Sequence, residues 1–321
     1  AVTDNDFTPA SRELIAKLTG SSFFRVSDTP RSYREAEDLL FSGDADIVLI
    51  IPEGFSSDFR GVNRPQLQVL VDAVNATNAQ LSWSYLTSVV RDYNRDVIVS
   101  GGNASSSLPG ITASPRFWYN PALNYKYYML PGVLVILITA IGLLMAGLNL
   151  VREKEIGTIE QINVTPVMKW QLIASKVIPF FIIGLIDLAL GLTVGWIAFD
   201  IPFEGSLLLF FGCAAIFLVA VLGLALFFST MASTQQQFLF VAFFFVMIFI
   251  LMSGIFTPSE SMPRWAQQFN HVNPVAYLMR INRMVMLKGS GFRDIAGDMG
   301  ALTLLAVSFI ALAITAYRKR A

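Results

Sequence analysis

The chain has 321 residues, 54% of them hydrophobic and 14% charged, with no net charge. Soluble domains carry roughly a quarter charged residues, so a wholly soluble protein is excluded. One cysteine, Cys213, and one histidine, His271, leave no material for an intrachain disulfide, a thiolate metal centre or a histidine-based triad. A zero net charge, with no basic stretch before the last few residues, gives nucleic acid nothing to bind.

The charges are unevenly placed. Residues 1–125 hold 10 Lys+Arg and 14 Asp+Glu, a net charge of −4; residues 126–321 hold the other 13 and 9. The first stretch has the composition of a water-soluble domain, and the second that of a bilayer-embedded one. Two domains are therefore expected, 1–125 and 126–321. No signal-peptide pattern opens the chain, which begins at Ala1, so a further transmembrane helix is expected before it.

In chain order, Thr8-Pro9 reads as a capped helix start, closed by Gly20. Residues 32–42 form a second helix ended by Gly43. The β-branched run 47–51 is a buried strand, and 66–71 alternates Leu67, Val69 and Val71 as a half-buried strand does. Leu81, Tyr85, Val89, Tyr93 and Val97 recur every four residues, giving a helix over about 78–99. A Ser/Gly-rich loop follows at 100–110, then an extended passage. Alternating strands and helices predict a small α/β domain. The triplets at Asn75 and Asn103 match the glycosylation pattern, a match common by chance.

Five later stretches are apolar enough to cross a bilayer, at 128–150, 177–199, 206–229, 238–256 and 296–317. The 150–176 connection carries Arg152, Lys154, Lys169 and Lys176, and the chain ends in Arg318, Lys319 and Arg320, which assigns both to the cytoplasm. The N-terminal domain then lies outside. The basic residues of 257–295, Arg264 to Arg293, run against that assignment.

Arg152, Glu153, Lys154, Glu155 and Glu160 lie within nine residues, around Gly157-Thr158, in the connection after the first stretch. Taken alone these charges describe a solvated loop. The apolar Ile156, Ile159 and Ile162 among them point instead to a docking segment. Asp187 is the ionisable residue deep in a predicted span, which makes it either a functional residue of a transport path or a hydrogen-bonding group between helices. Ser229 and Thr193 lie at a depth to partner it. The Phe-rich stretch 238–256 reads as packing or lipid-facing surface, and Gln235–Gln237 as a polar cap. Residues 257–295, with Pro258, Met262, Pro263, Trp265, Pro274 and Tyr277, read as two short helices at the membrane interface. No Gly-Lys dipeptide exists, so no Walker A loop can cradle a nucleotide.

EKEIGTIEQINVTP at 153–166, RFWYNP at 116–121, SGIFTPSESMPRWAQQFNHVNPVAYLMR at 253–280 and SGDADIVLIIPEGF at 42–55 together resemble the membrane subunits of type-2 ABC transporters. They match most closely the subgroup with a large extracytoplasmic domain between its first two spans. Four motifs in order, over nearly the whole chain, carry that resemblance. It implies an α-helical exporter bundle whose first span is missing here, preceded by an extracytoplasmic α/β domain, in the bacterial inner membrane. It further implies a coupling segment at 152–168, with Glu153, Lys154, Glu155, Gly157, Thr158 and Glu160 facing a separate ATP-binding subunit. Residues 257–295 would be a re-entrant hairpin closing the outer exit. A second permease copy, identical or related, would complete the path among the membrane lipids, and ATP would bind the partner and not this chain. The large soluble domain favours efflux of small hydrophobic or amphipathic compounds. A membrane-anchored sensor or scaffold, whose outside domain binds a ligand or envelope partner, is the alternative.

Overall fold

The computed structural model describes residues 1–58, 65–100, 110–158, 168–201, 203–256 and 262–316. They form two compact units, Ala1–Tyr128 and Met129–Ala321.

In the first unit, strands β1 (Val2–Asp4), β2 (Ile47–Ile51), β3 (Gln66–Asp72) and β4 (Thr112–Trp118) make one sheet in that order. β1 runs parallel to β2, β3 antiparallel to β2, and β4 parallel to β3. Val48 is opposite Leu70 and Val69 opposite Pro115. One face, with Leu49, Leu67, Val69 and Val71, packs under helices α1 (Pro9–Gly20) and α3 (Ala76–Ser100). The other face, with Val48, Ile50 and Leu70, packs under α2 (Tyr33–Ser42). The alternation of the strands is thus spent on two covers rather than on one core and solvent.

Local chemistry sets the helix ends. Thr8 and Ser11 form a reciprocal capping box with Pro9 in the first turn. Ser32 caps α2 through the Glu35 N–H, and Gly43 ends it at φ +81°, where a side chain would be strained. Tyr93, buried on α3, donates its hydroxyl to the Ala10 carbonyl at 3.0 Å; burial and the nearby Glu13 push it up to about 12. Asp6 accepts from Thr8 Oγ1 (2.5 Å), Gly54 N (3.0 Å) and Ser56 N (3.1 Å). Partial desolvation raises its carboxyl, and these hydrogen bonds outweigh that and hold it below the ordinary range.

The second unit is a helix bundle. Its members are α4 (Tyr125–Ile156, whose first turn belongs to the other unit), α5 (Lys169–Phe199), α6 (Leu207–Met231), α7 (Gln235–Met252), α8 (Arg264–Phe269), α9 (Pro274–Lys288) and α10 (Phe292–Ala316). Five of them, α4, α5, α6, α7 and α10, are long and apolar enough to cross a membrane. α4, α5, α7 and α10 start earlier than the predicted stretches, because flanking polar residues such as Gln235 join the helices, while α7 ends at Met252, short of the predicted 256. α4 contains one π-helical turn, Ile141–Met145.

Helix α6 is the centre. It is hydrophobic all round, as a helix buried on every side must be. More than half of its apolar stretch is buried in the bundle, whereas most of α5 is not. At Gly223 the missing side chain lets α6 approach α10 so closely that a Cβ would lie 2.9 Å from the Ile310 nitrogen. Gly184 and Gly195 of α5 likewise receive Leu218 and Leu130.

The segment expected to form two short helices holds α8 and α9, and the two differ in length and burial. Only α8 is short and largely exposed. α9 is a bundle member, with Val275, Leu278, Ile281 and Val285 fully buried. Its apolar residues recur on more than one face, which a helix lying at an interface does not need.

Candidate functional site

At one end of the bundle α4 finishes in the charged triplet Glu153, Lys154 and Glu155, and each charge goes to a different helix. The Glu153 carboxylate pairs with Lys176 of α5, both side chains being about one-fifth exposed. Lys154 donates to the Ser229 and Ala232 carbonyls at the C-terminus of α6. Glu155 accepts from Gln235 N (3.3 Å) and Gln235 Nε2 (2.8 Å) at the N-terminus of α7.

The signs follow from helix electrostatics. Unsatisfied carbonyls make a helix C-terminus negative and attract Lys154. Free N–H groups make an N-terminus positive and attract Glu155. Each such contact stabilises by roughly 0.3–1 kcal/mol in exposed settings. The two residues grip opposite sides of the turn joining α6 to α7.

Gly157 then ends α4 at φ +85°, its N–H bonded to the Lys154 carbonyl at 3.1 Å. Thr158 Oγ1 donates to the Glu153 carbonyl at 3.2 Å. Ile156 is exposed, turned away from these contacts. Glu160, Ile159 and Ile162, and most of the 152–168 segment beyond Thr158, lie outside the described residues.

Asp187 lies on the α5 face that carries Gly184 and Gly191, which receive Leu218 of α6 and Leu134 of α4. Its Oδ2 is buried without a hydrogen-bond partner among the described residues. The expected partners are not there: Ser229 Oγ donates to the Leu226 carbonyl and Thr193 Oγ1 to the Ala189 carbonyl, each within its own helix. Beside this face, towards the other end of the bundle, a mainly apolar cavity of about 420 Å³ is lined by Leu130, Leu192, Trp196, Phe203 and Met286.

Of the predicted hairpin residues, Met262 accepts from Gln267 Nε2 through its carbonyl at 2.9 Å, and Pro263 precedes α8. Trp265 is 68% exposed, whereas Tyr277 is buried with its hydroxyl on the His271 carbonyl. Pro274 opens α9 after the Asn273 cap. Pro258 lies outside the described residues. What holds α9 in place is a set of polar ties that pattern reading missed. Asn273 Nδ2 donates to the Phe249 carbonyl of α7 at 2.9 Å, Arg280 pairs with Asp298 of α10 at 2.7 Å, and Arg283 donates to the Gly254 carbonyl at 2.9 Å. Asn273 and Arg280 stand beside apolar residues in sequence, and that contrast was the available signal. Among the described residues no group of three or more His, Cys, Asp or Glu side chains is placed to hold a metal.

A bundle with five helices long and apolar enough to cross a membrane has the architecture of a multi-pass membrane protein. The chain belongs to the ABC-2 family of transporter proteins, whose sequence model matches residues 1–315. It is 29% identical over 321 residues to the "probable multidrug ABC transporter permease YbhR" of Escherichia coli K12, covering all of this chain and 86% of that protein. It is 26% identical over 307 residues to the "probable multidrug ABC transporter permease YbhS" of the same organism, covering 94% and 80%. It is 25% identical over 326 residues to the "inner membrane transport permease YhhJ", covering 99% and 84%. The chain is thus a transport subunit of the ABC-2 type and a multi-pass membrane protein.

Proposed function

We propose that this chain is the path-forming subunit of an ATP-driven exporter of small hydrophobic or amphipathic compounds, including drugs, in the bacterial inner membrane. Two copies, or this chain with a related permease, enclose the path. A separate ATP-binding subunit docks on residues 152–168 and hydrolyses the ATP; this chain binds no cofactor. The first unit lies on the periplasmic face, inserted between a first span and α4. The relatives named multidrug permeases support the compound class, and family membership supports the ATPase partner.

The observation that carries the coupling role is the three-way grip of Glu153, Lys154 and Glu155. A displacement applied at the end of α4 is delivered to α5, α6 and α7 together, because each charge is bonded to one of them. Packed helices respond to such a displacement as rigid bodies rather than by continuous deformation. Residues 257–295 close the exit on the opposite side, with α9 fixed by its ties to α7 and α10. Asp187 faces the path and biases it towards cationic compounds.

The test is co-expression with a candidate ABC-type ATP-binding subunit from the same organism. The two should co-purify, and cells carrying both should accumulate less of a lipophilic dye than cells with a Walker-lysine variant of the ATPase. A chain that purifies alone and leaves dye accumulation unchanged is a sensor or scaffold, and the exporter reading falls.

A further inference from the structure

Helix α4 carries one extra residue in the middle of its apolar stretch. Residues Ile141–Met145 form a single π-helical turn, with α-helix on both sides, up to Ala140 and from Ala146. A π turn bonds each N–H one residue further back than an α turn does, and such turns are rare and frequent at functional sites. Proline does not explain this one, because Pro131 stands well before it and a proline disturbs the turn on its own N-terminal side. Nor do the side chains, since Leu143, Leu144 and Met145 are strong α-helix formers.

Packing at the two ends of α4 accounts for the turn. Leu130 and Leu134 lie against Gly195 and Gly191 of α5, where an added Cβ would come within 2.5 and 2.7 Å of them. Glu153 pairs with Lys176 of the same helix. Glu153 is 19 residues after Leu134, and an unbroken α-helix would carry it through about five turns and 100° more, aiming it away from α5. With one residue taken up by the π turn the remainder makes about five full turns, and both ends of α4 face α5.

Alignment alone does not require the turn, since a chain one residue shorter would reach it with a plain α-helix. What the extra residue adds is freedom to move without baring the backbone. An ordinary hinge in hydrocarbon would leave N–H and C=O groups without partners, which a bilayer does not tolerate. A π turn shifts along its helix by exchanging i→i+5 bonds for i→i+4 bonds, and the amides stay paired. The surroundings suit that motion. Gly142 has no side chain to anchor the turn between Leu218 and Val221 of α6, and Met145 is more than half exposed. Just before the turn the buried Thr139 donates its hydroxyl to the Val135 carbonyl at 2.5 Å, sharing an acceptor of the α ladder and loosening it.

We propose that the π turn of α4 is a sliding joint, at which the inner half, residues 146–156, swings against the outer half when the ATP-binding subunit displaces the 153–155 cluster. This rests on the exporter reading and adds where the moving part is divided from the part held still. The outer half is held by Gly132 against Ile255 and Met279, and by the two glycines of α5. The inner half carries the three-way grip.

The experiment deletes Met145, which removes the extra residue and leaves both ends of α4 in register. The deletion variant should unfold at or above the wild-type temperature. Deletion of Val133, also exposed but outside the turn, should lower that temperature by rotating the buried stretch after it. Hydrogen exchange of the full chain in detergent should be about tenfold faster in wild type at 139–149 than at 130–138, and the Met145 deletion should level the two. In cells with the ATP-binding subunit, the deletion variant should co-purify with it and lose most dye export. Met145→Leu, which keeps the residue count, should export normally. Export by the deletion variant at the wild-type rate overturns the proposal, as does uniform exchange along α4 in wild type. A Met145 deletion as destabilising as that of Val133 equally overturns it. Wild type that co-purifies with no ATPase and exports no dye ends the exporter reading instead, and exchange then decides whether the joint moves.

Discussion

Phe238 of α7 lies with its ring against the bare backbone of Gly147 in α4, so closely that a Cβ at Gly147 would stand 1.9 Å from the ring's Cζ. Phe238 is fully buried in that position. The contact fixes α7 against α4 within two turns of the Glu155–Gln235 bonds, so packing and polar contact reinforce each other.

Gly147→Ala should therefore displace the Phe238 ring and destabilise the bundle, by roughly 1–3 kcal/mol as overpacked cores do. Adding Phe238→Ala should recover part of the loss, since the clash is gone even though a void replaces it. Thermal unfolding in detergent reads both. A single variant as stable as wild type would show that the two helices separate easily.

Lys154→Met removes the cation from the α6 C-terminus and leaves the Ser229 and Ala232 carbonyls without it. We expect a loss of about 1–3 kcal/mol, and a larger fractional loss of dye export than of binding to the ATPase. Unimpaired export by this variant would contradict the coupling role.

Glu153→Lys and Lys176→Glu should each lower stability, and the double exchange should restore much of it. A coupling energy of roughly 0.5–3 kcal/mol is expected from a double-mutant cycle at this partly buried pair. The buried Glu153 Oε2, without a hydrogen-bond partner among the described residues, argues for the lower half of that range. Additive losses would mean that the two charges act separately.

At Asp187 the buried Oδ2 has no hydrogen-bond partner among the described residues. Asp187→Leu should raise the unfolding temperature, because an unsatisfied buried oxygen is replaced by a packed side chain. Asp187→Asn should keep assembly and reduce export of cationic dyes more than neutral ones. Equal export of both would remove Asp187 from the path.

The hydrogen bonds that hold the Asp6 carboxyl below its ordinary range stabilise the fold above the unfolded-state pKa, about 3.9. That contribution disappears as pH falls through the lower folded-state value. Hydrogen exchange at Gly54 and Ser56 should show more protection in wild type than in Asp6→Asn at pH 7, after correction for intrinsic rates. The two should converge in strong acid. A difference that persists there would place the protection elsewhere.

Much of this organisation is legible in the sequence because local rules decide it. Thr8-Pro9, Ser32 and Gly43 mark helix ends by their own chemistry, and the apolar stretches announce membrane-length helices by length alone. Long-range pairings leave no such trace. Nothing near Lys154 indicates that its partner is a carbonyl at Ser229, 75 residues on, and nothing near Gln235 names Glu155. The ties of α9 are hidden for the same reason: nothing near Arg280 and Arg283 names Asp298 and the Gly254 carbonyl as their partners. Asp187 illustrates a third limit, since depth along a helix does not say which neighbour faces it.

The proline in β4 has a consequence for what the sheet can join. Thr112 N points inward to the Pro65 carbonyl, so the alternate positions Ala113, Pro115 and Phe117 direct their backbone to the free edge. The middle one has no N–H to give. At the opposite edge the Val2 N–H is already taken by the Asp28 carbonyl. Each border is therefore a poorer template for another strand than an unbroken edge would be. The helices and loops of this unit thus offer a partner more than its sheet edges do.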